Sequence, residues 1–320
     1  MSEPDFARAE AWFVGHGLPY FVDGIRERVT RGLRPRRLFL AVLVGGALVG
    51  VCVALAVLLD AGWFGGLAIG LNLALLWFAA YALVTLRAWT IATWAVRRTF
   101  SSLGLLFPLV TRALPLLLLF VTFLFINAEV WQVASRLDGR VMWLTVSLFL
   151  AITIGFLLVR LPEELAVFDT QLDPETVESR CADTPFAGLA SARGLHHTAQ
   201  LAGLQKANLV LMLLITQLIQ VVLLSLSVFV FFVLFGLLVM DPDVVRAWTQ
   251  ESTLTAIPGL ERANFELVQV STFLAAFSGF YFTVYAVTDD VYRRQFFTSI
   301  VSQLERAVSA RAAYRAARDS

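Results

Sequence analysis

The chain has 320 residues, 58% of them hydrophobic and only 15% charged, with a mean hydropathy of +0.76 and a formal net charge of +1. That balance is more apolar than a soluble domain and excludes a disordered chain or a collagen-like repeat. Two cysteines, Cys52 and Cys181, exclude a disulfide-dense secreted scaffold.

Residues 1–37 place Phe6, Trp12, Phe13, Tyr20 and Phe21 ahead of six arginines between Arg26 and Arg37. They read as an amphipathic surface helix, broken at Gly17-Leu18-Pro19, then a basic juxtamembrane cluster in which Arg34, Arg36 and Arg37 meet anionic headgroups. No short apolar run with a cleavage site precedes Leu38, so the first span is expected to act as a signal-anchor.

Six stretches are apolar on all sides and long enough to cross a hydrocarbon core of about 30 Å as helices. They are residues 38–59, 63–86, 113–135, 141–159, 210–240 and 267–288. A membrane barrel would need short alternating segments instead. The expected fold is therefore all-α, a polytopic six-span bundle over residues 38–288. The first two spans are joined only by Asp60 to Gly62, which predicts a tight hairpin. Small residues let membrane helices approach closely, so Gly46, Gly50 and Ala54 are expected to face Gly62, Gly66, Gly70 and Ala74. Ser271, Ala275 and Gly279 form a similar face in the sixth span.

Residues 88–112 set Trp89, Ile91 and Trp94 beside Arg97 and Arg98, a pairing suited to headgroup contact at an interface. The fifth span is too long for a perpendicular crossing and must tilt or project. Cytoplasmic loop 160–209 carries helix starts at Asp173-Pro174-Glu175 and Thr184-Pro185, and external loop 241–266 opens on another at Asp241-Pro242 and turns at Pro258-Gly259. In residues 289–320, Phe297, Ile300, Val301, Leu304 and Val308 recur at helical spacing and predict an amphipathic cytoplasmic helix.

An even number of spans puts both termini on one side. Twenty-one Lys and Arg fall on that side and four, Arg136, Arg140, Arg246 and Arg262, on the other. The bias predicts cytoplasmic termini. The near-zero net charge thus conceals a basic inner face, suited to anionic lipid, and an acidic outer one. No motif for nucleic acid accompanies it.

Ionisable groups within spans are costly and point to function by default. Glu129 is the one candidate, close to Asn127, Trp131 and Gln132. It reads either as an interfacial carboxylate beside an anchoring Trp or as a cation or proton ligand in an external vestibule. Thr216, Gln220 and Ser227 share a face of the fifth span with Gln217 adjacent, and Asn72 and Gln269 are polar members of the second and sixth. Interhelical hydrogen bonding is the simpler role for these groups, and a polar solute path the sharper one.

All three histidines, His16, His196 and His197, fall outside the spans, so haem held between spans is not expected, and their spacing to Cys181 does not suit zinc. No nucleophile elbow, HExxH, Walker loop or dinucleotide fingerprint is present. The expectation is a protein without catalysis, cofactor or metal.

Trp12-Phe13-Val14-Gly15-His16-Gly17-Leu18-Pro19-Tyr20-Phe21-Val22 and the run from Thr111 to Trp131, together with 24 arginines against the single Lys206, resemble uncharacterised multi-pass integral membrane proteins of high-GC Gram-positive bacteria. The resemblance implies a bacterial plasma membrane and no mechanism. Two functions stay open: a channel or small-solute transporter, and a non-catalytic membrane scaffold or accessory subunit that binds a partner protein through its cytoplasmic loop and tails; a homo-oligomer or a membrane partner protein is expected alongside the lipid.

Overall fold

The computed structural model describes residues 3–60, 62–101, 115, 117–169, 203–258, 260–288, 309–311 and 314. The expected helix starts at Asp173 and Thr184, Cys181, His196, His197 and the stripe from Phe297 to Val308 lie outside them. In chain order come α1 Glu3–Gly15, a single 3-10 turn Pro19–Phe21, α2 Asp23–Gly32, α3 Pro35–Leu58, α4 Trp63–Thr85 and α5 Ala88–Ser101. Next are α6 Leu117–Phe125, α7 Ala128–Ser135, α8 Gly139–Asp169 and α9 Leu204–Val239, then α10 Pro242–Thr249, β1 Ala256–Ile257, β2 Leu260–Asn264 and α11 Phe265–Thr288. Five of them, α3, α4, α8, α9 and α11, are long and apolar enough to cross a membrane.

Within the stretch expected as the third span, residues 113–135, lies the pair α6 and α7, bent by 76°. Asn127 takes an extended backbone at the break, and its side-chain oxygen accepts from the Glu129 N–H at 2.8 Å, capping α7. Trp131 is buried behind it and donates from Nε1 to the Phe125 carbonyl at 2.6 Å, satisfying an acceptor freed where α6 ends. Phe125 in turn stacks on Phe232 of α9 at 4.8 Å between ring centres. A helix end inside an apolar layer is tolerable only because these groups take up the broken backbone bonds.

The architecture is all-helical as expected, with one short hairpin in which β1 and β2 pair antiparallel, Ala256 opposite Asn264 and Ile257 opposite Leu260. The hairpin is anchored to the start of α11, where the Glu266 carboxylate accepts from Thr255 N at 3.1 Å and the Asn264 side chain accepts from Leu267 N at 2.8 Å. Asp241 caps α10 by accepting from Asp243 N at 2.9 Å, with Pro242 in the first turn.

Helix α9 is the hub of the bundle, packing on α5, α8 and α11. One apolar cluster surrounds its first turns, joining Phe13 of α1, Ile91 of α5, Leu161 of α8 and Leu209 and Leu213 of α9. The other lies around its second half, with Val121 and Phe125 of α6, Trp131 of α7, Phe232 of α9 and Leu274 of α11. At 36 residues α9 is about 54 Å long, well beyond a bilayer core. The excess is occupied by protein. Asn208, fully buried, accepts from Tyr20 N at 2.8 Å and donates to the Gly17 carbonyl at 2.9 Å. The aromatic face of residues 1–37, expected on a lipid surface, is thus turned into the protein, with Phe13, Tyr20 and Phe21 buried. Burial pushes the Tyr20 phenol above its ordinary pKa, and its hydroxyl donates to the Leu86 carbonyl at the end of α4, 2.5 Å away.

The α3–α4 hairpin forms, but on a different face of α3 from the one expected. A Cβ added at Gly66 would lie 2.5 Å from Ala56 Cβ and 2.6 Å from the Cys52 carbonyl oxygen, and one at Gly70 would lie 2.7 Å from Val49 Cα. Gly45, against Phe78 at 2.9 Å, completes the seam. Gly46 and Gly50 have nothing within 4 Å, and Gly62 serves the turn, at φ +79, rather than the contact. In α11 Gly279 packs closely, with Ser225 and Val221 of α9 against it.

Candidate functional site

A lateral groove of about 950 Å³ runs between α4 and α8. Its walls are Leu73, Leu76 and Phe78 of α4 and Trp143, Leu150 and Ile154 of α8. Asn72, Asp138 and Arg140 make one end polar. From Arg140 to Ile154 the α8 wall rises about 21 Å at 1.5 Å per residue. Such a volume, mostly apolar with a few polar groups at one place, is the shape of a small-molecule site.

Local chemistry builds the polar end. Asp138 caps α8, accepting from Val141 N at 2.9 Å and Arg140 N at 3.0 Å, while the Arg140 guanidinium meets its second oxygen at 3.1 Å. The Val141 N–H above all, and then Arg140, hold the Asp138 carboxyl below its ordinary pKa. Both side chains remain about half exposed, 49% each, so the pair is open to a ligand. Gly65 leaves room for the guanidinium, since a Cβ there would come within 3.1 Å of it. Asn72 donates to the Ala68 carbonyl at 2.9 Å and to the Arg140 carbonyl at 3.3 Å.

The structure does not gather the expected polar residues into one path. Among them, Asn72 alone lines the groove. Gln269 donates to the Leu137 carbonyl at 2.7 Å, so Asn72 and Gln269, from different spans, both clip the short link that carries Asp138. Asn127 is the cap of α7, and Glu129 is exposed in its first turn, where a carboxylate complements the helix dipole. Thr216 returns its hydroxyl to the Met212 carbonyl at 2.9 Å. Gln217 is fully buried with neither amide atom hydrogen-bonded among the described residues, and Gln220 Oε1 and the buried Ser271 hydroxyl are likewise without a partner there.

Leaving an amide buried and unpaired costs more than replacing it by an apolar group of similar shape. Gln217→Leu should therefore hold or raise the thermal midpoint of the purified protein. A loss of about 1–3 kcal/mol would show instead that the amide holds a water or solute, and would restore the polar path.

Among the arginines expected at headgroups, Arg34, Arg36, Arg37, Arg97 and Arg98 are all exposed. Helix α5 turns Ile91, Ala95 and Thr99 inward and leaves Trp89, Val96 and Phe100 outside. Asp138, Arg140, Trp143 and Asn208 were not legible as site or lock residues. For the first two the available signal was a compact Asp-Gly-Arg between spans, a cap motif with charge to spare. Comparison with protein-family models, with curated proteins and with solved structures finds no match for this chain.

Proposed function

We propose that this is a bacterial plasma-membrane protein with six spans, α6 and α7 together forming the third, and both termini in the cytoplasm. The Lys and Arg bias supports the orientation, and the bent pair supports the sixth crossing. Its function is to bind and carry a small amphipathic solute, with no catalytic step, cofactor or metal. The groove between α4 and α8 carries this reading: an apolar body lies along Leu76, Trp143 and Ile154, and a polar head of no net charge meets Asp138 and Arg140. Carboxylate and guanidinium side by side complement a zwitterion better than an ion of either sign.

Binding of a radiolabelled phosphocholine amphiphile to the protein in maltoside detergent tests it. Ala151→Trp, which fills the groove, should weaken binding about tenfold or more, equivalent to about 1.4 kcal/mol. Equal binding by Ala151→Trp, Arg140→Gln and the unaltered protein would refute the groove as the site.

A scaffold reading is favoured by a different observation. Asn72, Gln269 and Thr216 are engaged in intramolecular bonds, while Val51, Leu55 and Leu58 leave an apolar face of α3 exposed. A stoichiometric foreign protein retained through mild-detergent purification would support it over transport.

A further inference from the structure

At the opposite end of α4 from the Asp138 groove lies a second cavity, of about 610 Å³, where three arginines from separate elements converge. Arg28 comes from α2, Arg37 from the first turn of α3, and Arg87 from the link between α4 and α5. No carboxylate lines the cavity, and none pairs with these three among the described residues. Arg28 has only a contact from Nε to the Gly24 carbonyl, 3.1 Å away on its own helix. Three like charges around one cavity repel each other unless an anion lies between them.

The frame holding them is built tightly. Tyr81 of α4 donates to the Gly32 carbonyl at 2.8 Å, and a Cβ at Gly32 would run into Thr85, so the ends of α2 and α4 are in direct contact. Tyr20 secures the Leu86 carbonyl immediately before Arg87. Arg87 itself adopts a left-handed backbone at φ +50, uncommon for a side chain of its size, which takes the chain out of α4 and into α5. The turn therefore fixes where Arg87 leaves the backbone at this corner.

Apart from Gly32, Thr85 and Thr90, the rest of the lining is apolar, formed by Val29, Leu83, Val84 and Trp89. Val84 is 78% exposed and Trp89 68%, both adjoining the arginines. A soluble phosphate would use the cations and leave this wall in water. A phospholipid uses both, its phosphate among the guanidinium groups and its glycerol and upper acyl carbons against Val84 and Trp89.

We infer that Arg28, Arg37 and Arg87 form a binding site for the headgroup of an anionic phospholipid in the leaflet that meets the N-terminal segment. The site is independent of the α4–α8 groove and does not require that groove to carry a solute. It is also narrower than a general basic surface. Arg34, Arg36, Arg97 and Arg98 do not line it, and of the arginines expected at headgroups Arg37 alone does.

The intact protein in maltoside detergent, titrated with dihexanoyl phosphatidylglycerol while its thermal midpoint is followed, provides the test. The midpoint should rise saturably with phosphatidylglycerol and stay flat with dihexanoyl phosphatidylcholine or inorganic phosphate. Arg87→Gln and Arg37→Gln should each weaken the apparent affinity about tenfold, the scale of losing one charge-assisted hydrogen bond. Arg97→Gln should leave it unchanged. Equal weakening by Arg97→Gln would overturn the inference in favour of diffuse surface attraction, and saturation by inorganic phosphate at the same affinity would assign the site to a soluble anion. Should Arg87→Gln not fold, Arg37→Gln, exposed in the first turn of α3, decides the matter by itself, and full affinity in that variant refutes the site.

Discussion

Asn208→Ala is expected to destabilise the protein by about 2–6 kcal/mol, since a buried donor and a buried acceptor each lose their partner at about 1–3 kcal/mol apiece. The side chain bridges Tyr20 N and the Gly17 carbonyl, two backbone groups in the break after α1 that no helix or strand could satisfy. Without it the Gly17-to-Tyr20 segment would have to admit water to the cluster containing Phe13, Phe21 and Leu209. The effect should appear as a lower thermal midpoint together with faster proteolysis near residue 17, while α3 to α11 keep their helix signal. An unchanged midpoint would mean that this bridge does not secure the N-terminal segment. Thr30→Ala is a suitable reference, because its exposed hydroxyl only returns to the Arg26 carbonyl of its own helix.

The second large effect concerns the α3–α4 seam. Gly66→Leu should cost about 3 kcal/mol or more, at or beyond the upper end of ordinary overpacking. Two of the atoms in the way, the Cys52 carbonyl oxygen and Val53 Cα, are backbone and cannot rotate aside. Gly50→Leu, on a face of α3 with open space around it, should stay within about 1 kcal/mol, the range of the helix-propensity difference alone. Parallel measurements of midpoint and folded yield compare the two. Equal losses would show that α3 packs through Gly46 and Gly50 after all.

That contrast shows where sequence reading stops. Small residues at four-residue spacing announce close helix packing, and the hairpin link from Asp60 to Gly62 names the partner. Gly45 and Gly46 are nevertheless about 100° apart around one helix, and composition does not say which is turned inward. The choice follows from where Cys52 and Val49 of α3 meet Gly66 and Gly70 of α4, and where Phe78 of α4 meets Gly45. The polar residues behave in the same way. Asn72 and Gln269 were visible as costly groups in apolar runs, but their partners are carbonyls of the Leu137-to-Arg140 link, a long way off in the chain. The same link carries the charged end of the groove, so those residues contribute to the candidate site through the backbone they hold.

The amino-acid sequence by itself determined the membrane class, the five long apolar helices and the Asp241-Pro242 helix start. Each depends on transfer of local side chains or on capping within a few residues. Tertiary structure alone decided the break at Asn127, the burial of Phe13 and Tyr20, the face of α3 that meets α4, and the meeting of Arg28, Arg37 and Arg87 around one cavity. These outcomes turn on which distant groups satisfy a freed hydrogen bond or fill a given volume, and hydrophobicity along the chain carries no record of that.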